Sequence, residues 1–195
     1  MTKKLLSLLS LFAAFAVLGG CAHTIVITPD AAKLGAPAAK LSANKVGYFI
    51  SDEERNRKVI TPGGGGDKVE YAPYKELEAG IYRVLNNVFS SVDQLKSEND
   101  PAFIAEKKIN FVMRPKITTN SSSSSPFTWP PTAFDVIIEI KATDNSGKVI
   151  WQDTVIGKGN AEFSEFKSDF ALSAKRAGEA ALIELQKKLI SSPLM

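Results

Sequence analysis

The only cysteine of this 195-residue chain, Cys21, ends an N-terminal stretch that differs from the rest of the sequence. Two lysines at positions 3 and 4 precede an apolar run, residues 5–17, which two serines interrupt. A positive segment, a short apolar run and small residues are typical of a secretory signal, and the run is too short to span a bilayer. We therefore expect export to an oxidising compartment. One cysteine provides no internal disulfide, so packing alone must stabilise the fold.

The end of this stretch, Leu-Gly-Gly-Cys at 18–21, resembles the lipobox of bacterial lipoproteins. The resemblance implies that residues 1–20 are a signal peptide, and that Cys21 is acylated on its sulfur and on the new amino terminus. Several acyl chains hold a protein on a bilayer stably, whereas one chain binds only marginally. In lipoproteins of enteric bacteria an Asp after the cysteine favours the inner membrane. Ala22 stands there, so the resemblance implies an outer-membrane anchor with the protein facing the periplasm, and the inner membrane is the second choice.

The charge balance argues against a nucleic-acid partner. The chain has 24 Lys and Arg against 21 Asp and Glu, and the loss of Lys3 and Lys4 with the signal leaves 22 basic residues. Nucleic-acid binding requires basic residues clustered on one face, and membrane binding by charge requires a polybasic run. Neither pattern occurs, so we predict no nucleic-acid partner. The lipobox resemblance implies that the membrane is one partner, through Cys21, and we expect an envelope protein as the other.

Histidine is as scarce as cysteine, which removes several kinds of active site. His23 is the only histidine and lies two residues after Cys21, where we expect an exposed residue outside any folded element. Zinc sites built from His and Cys, and hydrolases with a Ser-His-Asp or Cys-His arrangement, need such residues in the folded part. We therefore predict a protein that is not an enzyme and has no cofactor and no metal site.

Composition divides the mature chain into a tether and a domain. Residues 22–44 are mostly small or polar and include Pro29, Gly35 and Pro37, although residues 24–28 favour an extended conformation. We predict that 21–44 is a lipidated spacer and that 45–195 is a single periplasmic domain. That length is sufficient for one hydrophobic core.

The spacing of apolar residues predicts two amphipathic helices and a hairpin. Apolar residues recur every three or four positions from Leu77 to Val88, which predicts a helix over 74–90, and a second stripe predicts a helix over 164–191. Residues 134–141 alternate in polarity, and Asp-Asn-Ser-Gly at 144–147 predicts a hairpin turn. Shorter elements are predicted as strands at 46–50, 58–61, 91–95 and 109–117, and as a helix at 101–108.

These elements predict an α+β fold. We expect a two-layer sandwich, in which a mixed or antiparallel sheet with a C-terminal hairpin packs against the two amphipathic helices. The order of elements over residues 45–191 resembles that of small envelope lipoproteins, namely the YajG-like family and the amino-terminal domain of TolB. This resemblance lies in element order and implies no site residue.

A loop rich in serine and proline, residues 118–132, carries two large aromatic side chains. Its sequence at 127–131 is Phe-Thr-Trp-Pro-Pro, and exposed aromatic residues usually indicate a contact. Three interpretations are open: the rings fold back over the sheet edge and cap the core, they form a docking tip stiffened by the prolines, or they insert at a membrane interface, where Trp is favoured. Core capping is the favoured interpretation. The residues predicted for partner binding are Phe127, Trp129, Pro130 and Pro131.

A second loop contains four successive glycines, residues 63–66. Backbone N–H groups in such a loop can hold an anion, but the sequence lacks the Gly-Lys-Ser/Thr ending of a phosphate-binding loop. We therefore interpret residues 63–66 as a flexible connector.

These observations together predict a function without catalysis. We expect a membrane-anchored envelope lipoprotein that acts by protein–protein contact in the periplasm, such as an accessory subunit of an envelope assembly. The alternative is a carrier or chaperone that holds a lipid or another amphiphile between sheet and helices. An open apolar groove would support the alternative, and a closed interface between the layers would argue against it.

Overall fold

The computed structural model describes residues 22–35 and 41–195. The signal peptide, the lipobox with Cys21, and residues 36–40 of the predicted spacer lie outside the described residues.

The described residues form eight strands in two mixed sheets. The strands are β1 Ala22–Thr24, β2 Ser42–Tyr48, β3 Val59–Pro62, β4 Lys68–Tyr71, β5 Phe89–Gln94, β6 Phe111–Ser122, β7 Ala133–Asp144 and β8 Val149–Asn160. The larger sheet has the order β5-β2-β6-β7-β8. Strand β2 runs parallel to β5 and β6, and β6, β7 and β8 form an antiparallel meander. The smaller sheet has the order β1-β4-β3, with β1 parallel and β3 antiparallel to β4.

Helices connect the strands and cover one face of the larger sheet. The α-helices are α1 Asp52–Asn56, α2 Pro73–Val88, α3 Pro101–Lys107, α4 Phe163–Phe166 and α5 Leu172–Ile190, and a short 3-10 helix spans Ala31–Lys33. Helix α2 begins at a proline, whose fixed φ suits the first helical turn. Helix α3 begins after Asp100, whose side chain accepts a hydrogen bond from the Phe103 N–H at 3.1 Å.

The main core lies between the larger sheet and helices α2 and α5. Alternate residues of β7 face this core and are at most 1% exposed: Phe134, Val136, Ile138 and Ile140. Helix α5 lies so close to β8 that a Cβ on Gly157 would be 2.1 Å from the Ala177 carbonyl oxygen. A Cβ on Gly159 would be 2.0 Å from the Ser173 carbonyl oxygen. Small residues on both elements therefore bring the two layers into direct contact.

The opposite face of the larger sheet is partly covered as well. Phe49, Leu95, Ile109 and Val112 form a second, smaller buried cluster. Two side chains of α3, Phe103 and Ile104, pack against it. Helix α3 thus covers the β5-β2-β6 side of this face.

This architecture confirms the predicted α+β sandwich. Helix α2 and the β7–β8 hairpin lie where the spacing predicts them, and the hairpin turn at residues 144–148 is closed by a hydrogen bond from the Asp144 N–H to the Lys148 carbonyl at 2.9 Å.

Among the element bounds that differ from the prediction, two change the interpretation of a segment. Strand β6 continues to Ser122, because residues 118–122 pair with β7 and the Ser121 Oγ donates a hydrogen bond to Thr61 Oγ1 at 2.6 Å. The serines therefore belong partly to a strand rather than to a loop that begins at 118. The helix predicted over 164–191 is divided into α4 and α5, and the Asp169 carboxylate accepts a hydrogen bond from the Ala171 N–H between them at 3.1 Å.

The described part of the predicted spacer differs most. Residues 22–24 form β1, and Ile25, Ile27 and Leu34 belong to the main core with at most 4% of their surface exposed. The Lys33 ammonium pairs with the Glu179 carboxylate of α5 at 2.9 Å. Residues 22–35 are therefore packed on the domain, because burial of their large apolar side chains outweighs the small and polar residues around them. The prediction of a spacer at 21–44 is therefore wrong for residues 22–35. The prediction that the folded part starts at residue 45 is wrong as well.

Candidate functional site

The glycine-rich loop and the aromatic loop are joined at one end of the sandwich. We call residues 63–67 the glycine loop and residues 123–132 the aromatic loop. The Gly64 N–H donates a hydrogen bond to the Trp129 carbonyl at 2.8 Å, and the Gly65 N–H donates to the Ser125 carbonyl at 3.2 Å. Backbone bonds therefore hold together two segments that are about sixty residues apart in the sequence.

Glycine is required at this junction because the two backbones lie very close. A Cβ on Gly64 would be 1.9 Å from the Thr128 carbonyl oxygen, and a Cβ on Gly63 would be 2.3 Å from the Trp129 carbonyl oxygen. Neither distance is compatible with a larger side chain unless the loops separate. The prediction of a flexible connector at residues 63–66 is therefore wrong for the glycines that are docked against the aromatic loop.

Trp129 caps the core, as the favoured interpretation of the aromatic loop expects. Its ring stacks on the His23 ring with centroids 4.2 Å apart and an interplanar angle of 19°, and it lies 4.9 Å from the Phe170 ring. Trp129 is half-buried and packs against the main core. The ring therefore links β1, the aromatic loop and the segment before α5.

The two prolines of the loop are buried rather than presented on a tip. Pro130 and Pro131 are both buried, and the Pro131 carbonyl accepts a hydrogen bond from the Ser173 Oγ at 2.8 Å. A partner could contact them only if the loop moved. Of the four residues predicted for partner binding, Phe127 alone is fully accessible, and the binding itself stays a prediction.

Phe127 projects into solvent with 93% of its surface exposed. Two more phenylalanines at this end of the sandwich are largely exposed, Phe163 at 57% and Phe170 at 48%. The chain that leads to Phe163 is fixed beside the aromatic loop, because the Ala161 N–H donates a hydrogen bond to the Thr132 carbonyl at 2.9 Å. We call the set Phe127, Trp129, Phe163 and Phe170 the aromatic end.

The start of β1 lies at the same end. Ala22 pairs with Lys68, directly after the glycine loop, and the His23 Nε2 is 3.8 Å from the Asp67 Oδ1. His23, predicted as an exposed tether residue, is thus in a strand and in contact with Trp129. Because Cys21 is bonded to Ala22, the residue predicted to carry the lipid is one residue away from a strand of the domain.

A polar cluster on α2, which the sequence did not indicate, lies on the flank of the domain. The Glu78 carboxylate accepts hydrogen bonds from the Arg55 Nε at 2.7 Å and Nη2 at 2.9 Å, from the Tyr48 hydroxyl at 3.2 Å and from the Gln94 Nε2 at 3.4 Å. Burial, together with the neighbouring Glu78 carboxylate, raises the pKa of Tyr48 to about 12. Because four donors occupy this carboxylate, the cluster is suited to fixing the shape of the surface rather than to moving protons.

The same residues form the wall of an open groove of about 650 Å³. Its apolar surface includes Val92 and Tyr82. Tyr82 is 41% exposed, and its ring centroid lies 5.9 Å from that of Tyr48. Lys75 and Asp93 provide charges of both signs on its lining. The partners of Glu78 in the groove, Tyr48, Arg55 and Gln94, are 16 to 30 positions from it in the sequence, so no local pattern could have revealed the groove.

Two negative findings apply to the described residues alone. Among residues 22–35 and 41–195, no group of three or more His, Cys, Asp or Glu side chains is arranged to hold a metal ion. None of the helices within these ranges has the length and apolar character needed to cross a membrane.

No protein-family model matches the sequence, and no curated protein matches it. Solved structures do resemble the fold. A protein from Helicobacter pylori, described as a neuraminyllactose-binding hemagglutinin homologue, has a TM-score of 0.51 and 14% identity, covering 80% of this chain and 90% of that chain. A DUF330 protein from Xanthomonas campestris has a TM-score of 0.48 and 14% identity, covering 86% of this chain and 89% of that one.

A third structure, described as a lipoprotein from Caulobacter crescentus, has a TM-score of 0.35 and 10% identity, covering 74% of this chain and 88% of that chain. At these identities the Helicobacter pylori match shows a shared fold and nothing about activity. The resemblance to YajG-like lipoproteins and to the amino-terminal domain of TolB stays a prediction.

Proposed function

We propose that the chain is an envelope lipoprotein, anchored to the outer membrane through acyl chains on Cys21, that acts by binding a protein partner in the periplasm and catalyses no reaction. Three features support this: the lipobox sequence at 18–21, the interior between sheet and helices, which is closed where α5 meets β8, and an open groove on the flank of the domain. The closed interior carries the most weight.

The closed interior separates this proposal from the carrier alternative. A carrier needs an apolar space between sheet and helices. At the contact between α5 and β8, a Cβ on Gly157 would lie 2.1 Å from the Ala177 carbonyl oxygen and 2.3 Å from the Ala181 nitrogen. Leu182 and Leu185, which α5 contributes to the core, are 0% exposed. The groove between α2 and strands β2 and β5 is open, but charged side chains such as Lys75, Glu78 and Asp93 line it, so it is not the apolar groove that a carrier needs. Contact through the surface is therefore the better supported function.

The groove beside α2 is the surface that we assign to the partner. A partly exposed aromatic ring, Tyr82, and a neighbouring apolar side chain with charged residues around them are the usual composition of a protein interface. The Arg55–Glu78 pair holds the groove in one shape without a partner, which lowers the entropy cost of binding. The occupant we propose is a protein segment of complementary charge to Lys75 and Asp93.

Photo-crosslinking in intact cells tests this assignment. A photoreactive phenylalanine analogue is placed at Tyr82 in the groove and, in a control variant, at Lys148 in the exposed hairpin turn. We expect a discrete crosslinked protein from position 82 and none from position 148. Equal labelling at both positions, or lipid alone captured at position 82, contradicts the proposal, and the second result favours the carrier.

A separate measurement tests the anchor. Mass spectrometry of the protein purified from membranes should find a chain that begins at Cys21 and carries acyl mass, whereas the variant Cys21→Ser should keep its leader. Separation of inner and outer membranes should place the acylated chain in the outer-membrane fraction. A mature chain without acyl mass would overturn the lipoprotein assignment.

A further inference from the structure

We propose that the aromatic end of the domain lies in the headgroup region of the bilayer, so that the acyl chains and Phe127 hold the domain on the membrane in one orientation. This inference rests on the proposed acylation of Cys21. It assigns Phe127, which the sequence predicted for a protein partner, to the lipid surface.

The first step is the length of chain between anchor and domain. Ala22 is already paired with Lys68 in a parallel ladder, and adjacent Cα atoms are about 3.8 Å apart. An acylated Cys21 lies at the surface of the bilayer, because its acyl chains are in the hydrocarbon. The end of the domain that contains Ala22 therefore cannot be held away from the headgroups by a spacer.

The second step is that the aromatic end is the same end. The His23 ring stacks on the Trp129 ring at 4.2 Å, and Phe127 is two residues before Trp129 in the same loop. The glycine loop ends beside Ala22 and is bonded to the Trp129 and Ser125 carbonyls. An anchor placed at residue 21 thus brings the aromatic loop to the membrane as well.

The third step is the chemistry of the exposed surface. Phe127 is 93% exposed although it belongs to a loop that backbone hydrogen bonds hold in place. Phe163 is also exposed, and the Lys167 ammonium lies 5.3 Å from its ring centroid. Phe, Trp and Leu side chains with lysines beside them are typical of protein surfaces that lie at the boundary between headgroups and hydrocarbon. Lys68, next to Ala22, adds a second exposed cation. The acids at this end are Asp67, Glu162 and Glu165, and Glu165 is paired with Arg176 at 2.7 Å.

The hairpin turn at the opposite end of the sandwich is polar. The β7–β8 turn consists of Asp144, Asn145, Ser146 and Gly147, followed by Lys148, all of which suit water. Val149 and Ile150, which follow the turn in β8, are 48% and 39% exposed, so the contrast between the two ends lies in the exposed phenylalanine rings of the anchored end.

Site-directed spin labelling of the acylated protein in vesicles tests the inference. Because Cys21 is the only cysteine and is blocked by acylation, a cysteine introduced elsewhere gives a single labelling site. The labelled variants are Phe127→Cys and, as the control at the free end, Lys148→Cys. Both positions are exposed, so both variants should fold. The probe is a vesicle of phosphatidylethanolamine and phosphatidylglycerol, with oxygen and a water-soluble nickel chelate as relaxing agents.

We expect the ratio of oxygen to nickel accessibility to be several-fold higher at position 127 than at position 148. If the acylated protein cosediments with vesicles and both labels report water, the inference is wrong and the lipid anchor stands. If mass spectrometry finds no acyl chain and the protein stays in solution, the anchor and the inference fail together. A protein crosslinked in cells through position 127, with a label that is water-exposed on vesicles, assigns this end to a protein partner and overturns the inference.

Discussion

The two ends of the sandwich are built in different ways. At the hairpin end, the Asp144 Oδ1 accepts hydrogen bonds from the Ser146 N–H at 2.9 Å, the Ser146 Oγ at 2.6 Å and the Lys148 N–H at 3.0 Å. All of these partners lie within four residues. At the aromatic end, the glycine loop and the aromatic loop, about sixty residues apart in the sequence, are joined by backbone hydrogen bonds. Trp129 of the aromatic loop packs against the core.

The comparison shows where in such a fold an exposed apolar side chain can be held in a defined position. The hairpin turn is held mainly by bonds among its own residues, with one bond to a distant segment, from the Asn145 Nδ2 to the Ile109 carbonyl at 3.2 Å, and it presents polar groups to water. A junction of distant loops is stabilised by the rest of the domain, so it can keep a phenylalanine exposed in a defined position. The aromatic end should therefore be more sensitive to substitution than the hairpin end.

The largest expected effect on stability comes from replacing one glycine by alanine at each end of the sandwich. Gly64→Ala places a Cβ 1.9 Å from the Thr128 carbonyl oxygen and disrupts the bond to Trp129, so we expect the free energy of unfolding to fall by about 3 kcal/mol. Gly147→Ala meets no atom within 4 Å but has a φ of +83°, so we expect a loss of about 1 kcal/mol. Urea unfolding of both variants measures the difference. Equal losses would remove the distinction between the two ends.

Alanine substitutions of Trp129 and Phe127 should distinguish a core residue from a surface residue within the same loop. Trp129→Ala removes the contacts with His23, Phe170 and the core. Because the ring is half-buried, we expect about 2–3 kcal/mol of destabilisation, less than full burial would give. Phe127→Ala should change the free energy of unfolding by less than about 0.5 kcal/mol. A Phe127 variant as unstable as the Trp129 variant would show that Phe127 is part of the core.

Removal of one serine hydroxyl at each end should have a smaller effect on the free energy of unfolding. Ser173→Ala leaves the buried Pro131 carbonyl without its hydrogen bond of 2.8 Å, which should cost about 1–2 kcal/mol. Ser146→Ala removes an exposed bond within the hairpin turn and should cost about 0.5 kcal/mol or less. The two midpoints of thermal unfolding, measured at one pH, should fall in that order. The reverse order contradicts the proposed packing.

The smallest effect is electrostatic. The Arg176 guanidinium, with the Glu162 N–H, lowers the pKa of Glu165 at the aromatic end to about 2, from an ordinary 4.5. At the hairpin end, hydrogen bonds from Ser146 and the Lys148 N–H lower the pKa of Asp144. Any stability from the Glu165 pair is therefore present above pH 4.5 and lost as the pH falls toward 2. The carboxyl group is exposed, so the change is small.

Titration of the two carboxyl carbons by NMR checks this prediction. In the variant Arg176→Gln, the pKa of Glu165 should rise toward its ordinary value, and the pKa of Asp144 should not change. If both shift, or if Glu165 already titrates near 4.5 in the native protein, the Glu165–Arg176 pair of the structure does not form in solution.

The sequence predicted the parts of the fold that are built locally. The stripe from Leu77 to Val88 and the alternation over 134–141 are periodic, and periodicity follows directly from helix and strand geometry. The turn at 144–147 and the start of the helix predicted at 101–108 depend on side chains that bond to near neighbours. Each of these elements was predicted from residues that are adjacent in the sequence.

The candidate site could not be predicted in the same way. Backbone hydrogen bonds between the glycine loop and the aromatic loop depend on no side-chain pattern, so the glycines indicated only flexibility. The break between α4 and α5 contains no glycine or proline to mark it. Ile25 and Ile27 were visible as strand-forming residues, but their burial depends on a core assembled from distant elements. The groove around Glu78 is likewise a product of tertiary structure.

Neutron reflectometry of the acylated protein on a supported bilayer tests the central claim most directly, which is that the domain begins at its anchor and sits against the membrane through its aromatic end. We predict a protein layer that starts in the headgroup region with no water layer beneath it. A hydrated gap of a few nanometres, which a spacer of about twenty residues at ~3.3 Å per residue would allow, would contradict the account.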